Sequence, residues 1–178
     1  MIRAEARVVA ETEKLAHGEG GAKVTLDAGQ PAPDFDLPTD GGGRARLADF
    51  RGRPLVLYFY PKDDTPGCTK EAQGFAEAYR EFQAAGIQVL GVSKDSTASH
   101  DKFKAKYRLP FPLASDEEGR MVEAYGSWVE KSMYGKKYMG IDRSTFLIDG
   151  EGLLRRVWRK VSVSGHVAEV LDAALALK

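Results

Sequence analysis

The sequence predicts an α/β sandwich, a mixed β-sheet with helices packed against it. Three observations carry that prediction. The run Pro54 to Tyr60 is apolar throughout, as in a strand covered on both faces. Just beyond it, Phe75, Ala78, Tyr79 and Phe82 recur at helical intervals with polar residues opposite. Near the end, Ser144 to Ile148 and Leu153 to Arg159 flank Asp149-Gly150-Glu151-Gly152, which reads as a hairpin.

Each element follows in order. Ile2, Ala6, Val9, Ala10 and Leu15 are spaced loosely as in a helix, and His17-Gly18-Glu19-Gly20-Gly21 breaks the pattern. Residues 1–22 therefore read as an extension, and residues 23–178 as the domain proper. Gln30-Pro31-Ala32-Pro33 is extended, because residues before proline avoid the α region. Phe35-Asp36-Leu37 and Ala45-Arg46-Leu47 flank Asp40-Gly41-Gly42-Gly43, an N-terminal hairpin. Strand 54–60 leads into a helix from 66 to 85, closed by Gly86 at the position where a C-terminal cap needs glycine. Ile87 to Ser93 is a second buried strand, and a helix over 97–107 follows. Leu113 to Ser115 is short and extended, and Ser115 or Asp116 is placed to cap a small helix running to Tyr125. The Gly-, Lys- and Tyr-rich stretch 126–142 reads as a long surface loop. A terminal helix presents Val167, Val170, Leu171, Ala174 and Leu175 on one side.

Composition narrows the function. The chain has 178 residues, 43% of them hydrophobic, enough for one well-filled core. Its 26 basic and 26 acidic side chains balance, so neither a nucleic acid nor an anionic membrane is an expected partner. The longest apolar run, Leu55 to Tyr60, falls far short of the roughly 20 residues that span a bilayer. The first residues lack the continuous apolar segment of a secretory signal. A single cysteine rules out an internal disulfide and a cysteine-rich zinc site, and suits a reducing, cytoplasmic setting. His17, His100 and His166 show no metal-ligand spacing and read as solvated or helix-end residues. The glycines at 41–43 lack the Lys-Ser/Thr of a phosphate cradle. Neither a metal nor a cofactor is expected. Arg155, Arg156, Arg159 and Lys160 read as exposed strand positions. Lys131, Lys136 and Lys137 with Tyr134 and Tyr138 form a basic-aromatic stretch that reads first as a solvated loop, and otherwise as the border of the pocket or of a reductant's docking surface.

The chemistry centres on Cys68, the only thiol, set where a strand ends and a helix begins. In a first helical turn the N–H groups are unpaired and the dipole is positive, which favours an anionic sulfur. Thr65 reads either as the cap of the helix opening at Pro66 or as a hydroxyl facing the sulfur. Glu71 reads either as a surface residue complementing the helix dipole or as the partner of a nearby arginine.

The spacing Pro61-x-x-x-Thr65-x-x-Cys68 resembles the active-site motif of peroxiredoxins. Leu57-Tyr58-Phe59-Tyr60 before it and Thr69-Lys70-Glu71 after it resemble the bacterioferritin-comigratory, or Q-type, branch. The likeness extends through Ala32-Pro33-Asp34-Phe35, Val89 to Ser93 and Arg143 to Asp149, and covers residues 24 to 178. It implies a thioredoxin-like fold and a peroxidase acting on hydrogen peroxide and organic hydroperoxides. Cys68 would be the nucleophile, Arg143 the cation beside it, Thr65 the bridging hydroxyl, and Pro61 a shield. Gly67, Glu71 and Phe59 would border the substrate. Many Q-type members carry a resolving cysteine five residues after the first; here that position is Gln73. A sulfenic acid on Cys68 would then be reduced by an outside thiol: thioredoxin, glutaredoxin with glutathione, or another small thiol. A monomer or weak dimer is expected. The rival reading is a noncatalytic redox-sensing or binding module on the same fold. A dithiol oxidoreductase is disfavoured, because Glu71 stands where C-x-x-C needs its second sulfur.

Overall fold

The computed structural model describes residues 26–177. The extension predicted over 1–22 lies outside the described residues. Among the described residues, nine strands and four α-helices form a layered α/β fold around a five-stranded mixed sheet of order β5-β4-β3-β8-β9. These strands are β3 (Leu55–Phe59), β4 (Gln88–Ser93), β5 (Leu113–Ser115), β8 (Ser144–Ile148) and β9 (Leu154–Trp158). β3 runs parallel to β4, and β4 to β5; β8 is antiparallel to both β3 and β9. β3 is central, which is why all five of its residues are buried. The predicted N-terminal hairpin forms a small separate sheet, β1 (Asp36–Pro38) with β2 (Arg44–Arg46).

Alternation along β3 divides the core in two. Val56, Tyr58 and Tyr60 face one side, and Cys68, Ala72, Phe75 and Phe82 pack there from helix α1 (Pro66–Ala84). Helix α4 (His166–Leu175) joins them through Val170, Leu171 and Ala174, and helix α2 (Thr97–Tyr107) through Phe103. Leu55, Leu57 and Phe59 face the other side, against Phe35, Met121, Val122, Tyr125 and Phe146. Gly86 ends α1 with φ +74°, and the Ile87 and Gly86 N–H groups donate to the Phe82 and Gln83 carbonyls at 2.8 and 2.9 Å. That double bond is the glycine-based stop the sequence indicated.

Three expectations need correction. The stretch 126–142 is a β-hairpin, β6 (Trp128–Met133) with β7 (Lys136–Ile141), turned at Tyr134 and Gly135, both with positive φ. A two-residue turn of that kind matches strand twist, so the loop-like composition concealed a tight connection. Helix α3 (Arg120–Ala124) starts later than expected, with Gly119 as its cap residue. Asp116 still serves it, accepting from the Val122 N–H at 2.8 Å across the intervening turn. Arg159, expected on an exposed strand, is half-buried and donates to the Tyr125 and Gly126 carbonyls.

Candidate active site

β3 delivers the chain into the loop 60–65, and α1 opens at Pro66 with Thr65 as its extended cap residue. Pro66 at the first helical position has no N–H to satisfy. The Thr65 side chain makes no capping bond; its Oγ1 donates to the Lys62 carbonyl at 2.8 Å. Of the two roles open to this hydroxyl, side-chain capping is therefore not the one adopted. With its proton engaged, the oxygen has only lone pairs to offer. The Gly67 and Cys68 N–H groups lie in the first turn, where no intrahelical partner exists.

Cys68 is buried, with 1% of its surface exposed, over an apolar floor that includes Tyr58 and Phe75 stacked at 4.6 Å. Arg143 follows β7 and aims its guanidinium at this helix turn. Its Nη2 donates to Cys68 Sγ at 3.4 Å and its Nη1 to Glu71 Oε1 at 2.8 Å. Cys68 and Glu71 stand three residues apart on one face of α1, so a single planar fork reaches both. Gly67 makes room for it: a Cβ there would lie 3.1 Å from Nη2. Glu71 is wholly buried, and burial pushes its carboxyl up to about 7 against the opposing pull of Arg143. Burial also works against the charge on Arg143, but Glu71 and Cys68 outweigh it and hold the guanidinium above its ordinary value.

Cys68, Arg143, Glu71 and Gly67 thus come together, and Thr65 and Pro61 lie on the loop leading into their helix. Glu71 is the partner of the arginine rather than a surface residue. It was also expected to border substrate, but it is buried behind the guanidinium, with Oε2 lacking a partner. Phe59 does not join the site. It is fully buried on the opposite face of the sheet, against Tyr125 and Phe146, because odd positions of β3 point away from α1. Lys131, on the hairpin, has its ammonium held down first by partial burial, with Arg143 adding to the effect and Asp142 and Cys68 opposing it. It brings a second positive charge towards the sulfur.

His100 and His166 are buried, not solvated. His166 opens α4, bonds Thr145 Oγ1 at 2.8 Å and is pushed down to about 4, first by burial. His100 bonds Asp63 within the active-site loop, a link with no local sequence signal because the two lie 37 residues apart. Asp63, Asp95 and His100 bring ligating atoms within 4.8 Å of one another. Those atoms are already engaged by protein partners, so the trio fits hydrogen bonding better than a cation. A cavity of about 650 Å³ lies elsewhere, lined by residues such as Asp34, Pro38, Asp116 and Met121, and includes none of the site residues.

A desolvated sulfur facing a guanidinium and free helix amides can act as a nucleophile and stabilise negative charge on an atom beside it. Known proteins share this frame. The AhpC/TSA family profile matches residues 28–157. The putative peroxiredoxin bcp of Coxiella burnetii is 55% identical over 148 residues, covering 83% of this chain and 98% of its own. Peroxiredoxin Bcp of Bacillus subtilis is 51% identical over 149 residues, covering 84% and 95%. Among solved structures, the bacterioferritin comigratory protein of Xanthomonas campestris, described for its alkyl peroxide reduction activity, superposes with a TM-score of 0.79 at 46% identity, covering 84% and 98%. With one cysteine and no resolving partner for it, the chain belongs to the AhpC/TSA family, in its Bcp or peroxiredoxin Q branch.

Proposed function

We propose that this chain reduces hydrogen peroxide and small organic hydroperoxides through Cys68 alone, with an external thiol closing each cycle. The observation that carries the reading is the guanidinium of Arg143 at 3.4 Å from the sulfur of the only cysteine, at the opening of α1. The thiolate attacks the terminal peroxide oxygen, an S–O bond forms and the O–O bond breaks. The departing alkoxide or hydroxide takes up a proton and leaves as alcohol or water. Negative charge grows on that oxygen, where Arg143 and the Gly67 and Cys68 amides are placed to meet it. Thr65 Oγ1, its proton held by Lys62, accepts from the peroxide O–H and orients it.

Cys68 is left as a sulfenic acid. One external thiol displaces water to give a mixed disulfide, and a second thiol releases Cys68 as the oxidised pair departs. Thioredoxin, glutaredoxin with glutathione, and glutathione alone all satisfy that balance. No helix among the described residues is long and apolar enough to cross a membrane, and a cytoplasmic setting suits the single reduced thiol. Stopped-flow mixing of reduced protein with hydrogen peroxide, for wild type and Cys68→Ser, tests the reading. Oxidation of the wild type far faster than free cysteine, absent in the variant, is expected. A rate comparable to free cysteine would instead favour the sensing module.

A further inference from the structure

The catalytic loop is held in place from outside the site. Asp63 lies between Pro61 and Thr65, yet its side chain turns away from the sulfur into the protein. Its Oδ1 accepts from Tyr60 Oη at 2.6 Å, and its Oδ2 from Ser99 Oγ at 2.8 Å and His100 Nδ1 at 2.7 Å. The Asp63 N–H donates to Asp95 Oδ2 at 2.8 Å. The next residue, Asp64, sits at φ +58°, a left-handed conformation uncommon outside glycine. Lys106 Nζ and Tyr107 Oη hold its carboxylate at 2.8 and 2.7 Å. Ser99, His100, Lys106 and Tyr107 all belong to α2, so that helix grips two successive loop residues from its two ends. A strained residue persists only where its surroundings over-determine it.

The centre of this grip is an imidazole with an acceptor at each nitrogen. His100 is fully buried, and its Nε2 donates to the Ala114 carbonyl at 2.9 Å, so that nitrogen carries hydrogen. Its Nδ1 lies 2.7 Å from a carboxylate oxygen, a separation that also requires a hydrogen between the two atoms. We propose that His100, acting through Asp63, is a positioning residue that keeps Pro61 and Thr65 aligned for peroxide attack only while both of its ring nitrogens carry hydrogen. This rests on the peroxidase reading above. Losing one proton would leave a neutral imidazole with a single N–H for two acceptors, so a nitrogen lone pair would face either the Asp63 carboxylate or the Ala114 carbonyl, and the link from loop through α2 to β5 would break at one end. The groups facing the imidazole are Asp63 and Tyr60 from the loop, Asp95 beyond β4, and the Ala114 carbonyl of β5. Burial alone would push His100 down; the hydrogen bond and charge of Asp63, with Ala114 and Asp95, overcome it and hold the imidazolium above its usual 6.5. Its contribution is therefore complete below that value and lost as pH climbs through the higher, folded one.

The test compares two reactions of Cys68 across the neutral-to-alkaline range. Peroxide oxidation, by stopped flow, needs thiolate and an aligned loop; alkylation by iodoacetamide needs only thiolate. In wild type the ratio of the two rates is expected to fall on the alkaline side. His100→Leu, with no donor, should lower the ratio about 100-fold where wild type is fully aligned, the scale of a misaligned near-attack geometry, and leave it flat with pH, so that the two proteins converge on the alkaline side. His100→Asn places a donor near the Nδ1 position that does not titrate, and should give a ratio intermediate in size and flat with pH. Urea unfolding identifies variants that fail to fold, and the wild-type profile with His100→Asn then carries the test. An unchanged ratio in His100→Leu, an alkaline fall that persists in His100→Asn, or alkylation falling in parallel would each overturn the proposal. A wild type no faster than free cysteine would overturn the peroxidase reading itself, and the proposal with it.

Discussion

Replacing Glu71 with glutamine isolates the most strained charge in the site. The carboxyl is wholly buried, Oε1 is bonded to Arg143 at 2.8 Å, and Oε2 has no partner. Burial, only partly offset by Arg143, carries its pKa from the ordinary 4.5 to about 7. A carboxyl with a raised folded value binds its proton more tightly when folded, so its contribution to stability is greatest below 4.5. It declines as pH climbs towards 7 and is level beyond. Each pH unit corresponds to about 1.4 kcal/mol, so the decline is on the order of 3 kcal/mol. Glutamine keeps the acceptor for Nη1 but does not titrate. Glu71→Gln should therefore gain on wild type by about that amount between mildly acidic and slightly alkaline buffer. Urea unfolding of both proteins at matched pH measures it, since groups common to both cancel in the difference. A stability difference that stays constant with pH would refute the reasoning, because it would mean that Glu71 titrates as it does in water.

Four further substitutions probe the same geometry. Gly67→Ala sets a methyl group 3.1 Å from Nη2 and should cut the peroxide rate about tenfold by displacing the guanidinium, while the unfolding midpoint holds or rises because alanine suits a helix better. Thr65→Val removes a hydroxyl bonded only to the exposed Lys62 carbonyl, so the rate should drop about 100-fold with stability unchanged. Arg143→Lys offers one nitrogen where two are needed, and stopped-flow rates should fall at least tenfold rather than survive the retained charge. Gln73→Cys, with residue 73 exposed and Cys68 buried on α1, places the two sulfurs about 7.5 Å apart along the axis. A disulfide then requires the first turns to unwind, and nonreducing mass analysis after peroxide should show it forming slowly.

Elements whose signal is local were legible in the sequence. β3 declares itself because a strand buried on both faces must be apolar at every position, and α1 because its stripe and its closing glycine agree. The site motif was legible too, since strand end, Pro66 and Cys68 fall within one short stretch. Features that depend on long-range pairing were not. Phe59 looked adjacent to the site in sequence, yet strand alternation sends it to the far core. The 128–141 hairpin was hidden because its residues are largely exposed, leaving little contrast between its faces. The role of Glu71 depends on Arg143, 72 residues away, and nothing local marks His100 as buried against the loop.

The helical spacing of Cys68 and Glu71 explains how one chain commits to one of two sulfur chemistries. Residues three apart on a helix share a face, so whatever occupies position 71 lies within reach of any group that reaches the sulfur. A second thiol there would capture an oxidised Cys68 and make a dithiol exchanger. A carboxylate there cannot bond sulfur, but it can hold a guanidinium whose other nitrogen must then face Sγ, 3.4 Å away. The cost is a buried carboxyl with an unpaired oxygen, which no stability argument favours. What it secures is a cation fixed beside the sulfur before substrate arrives, and a bound peroxide then meets charge that needs no further rearrangement.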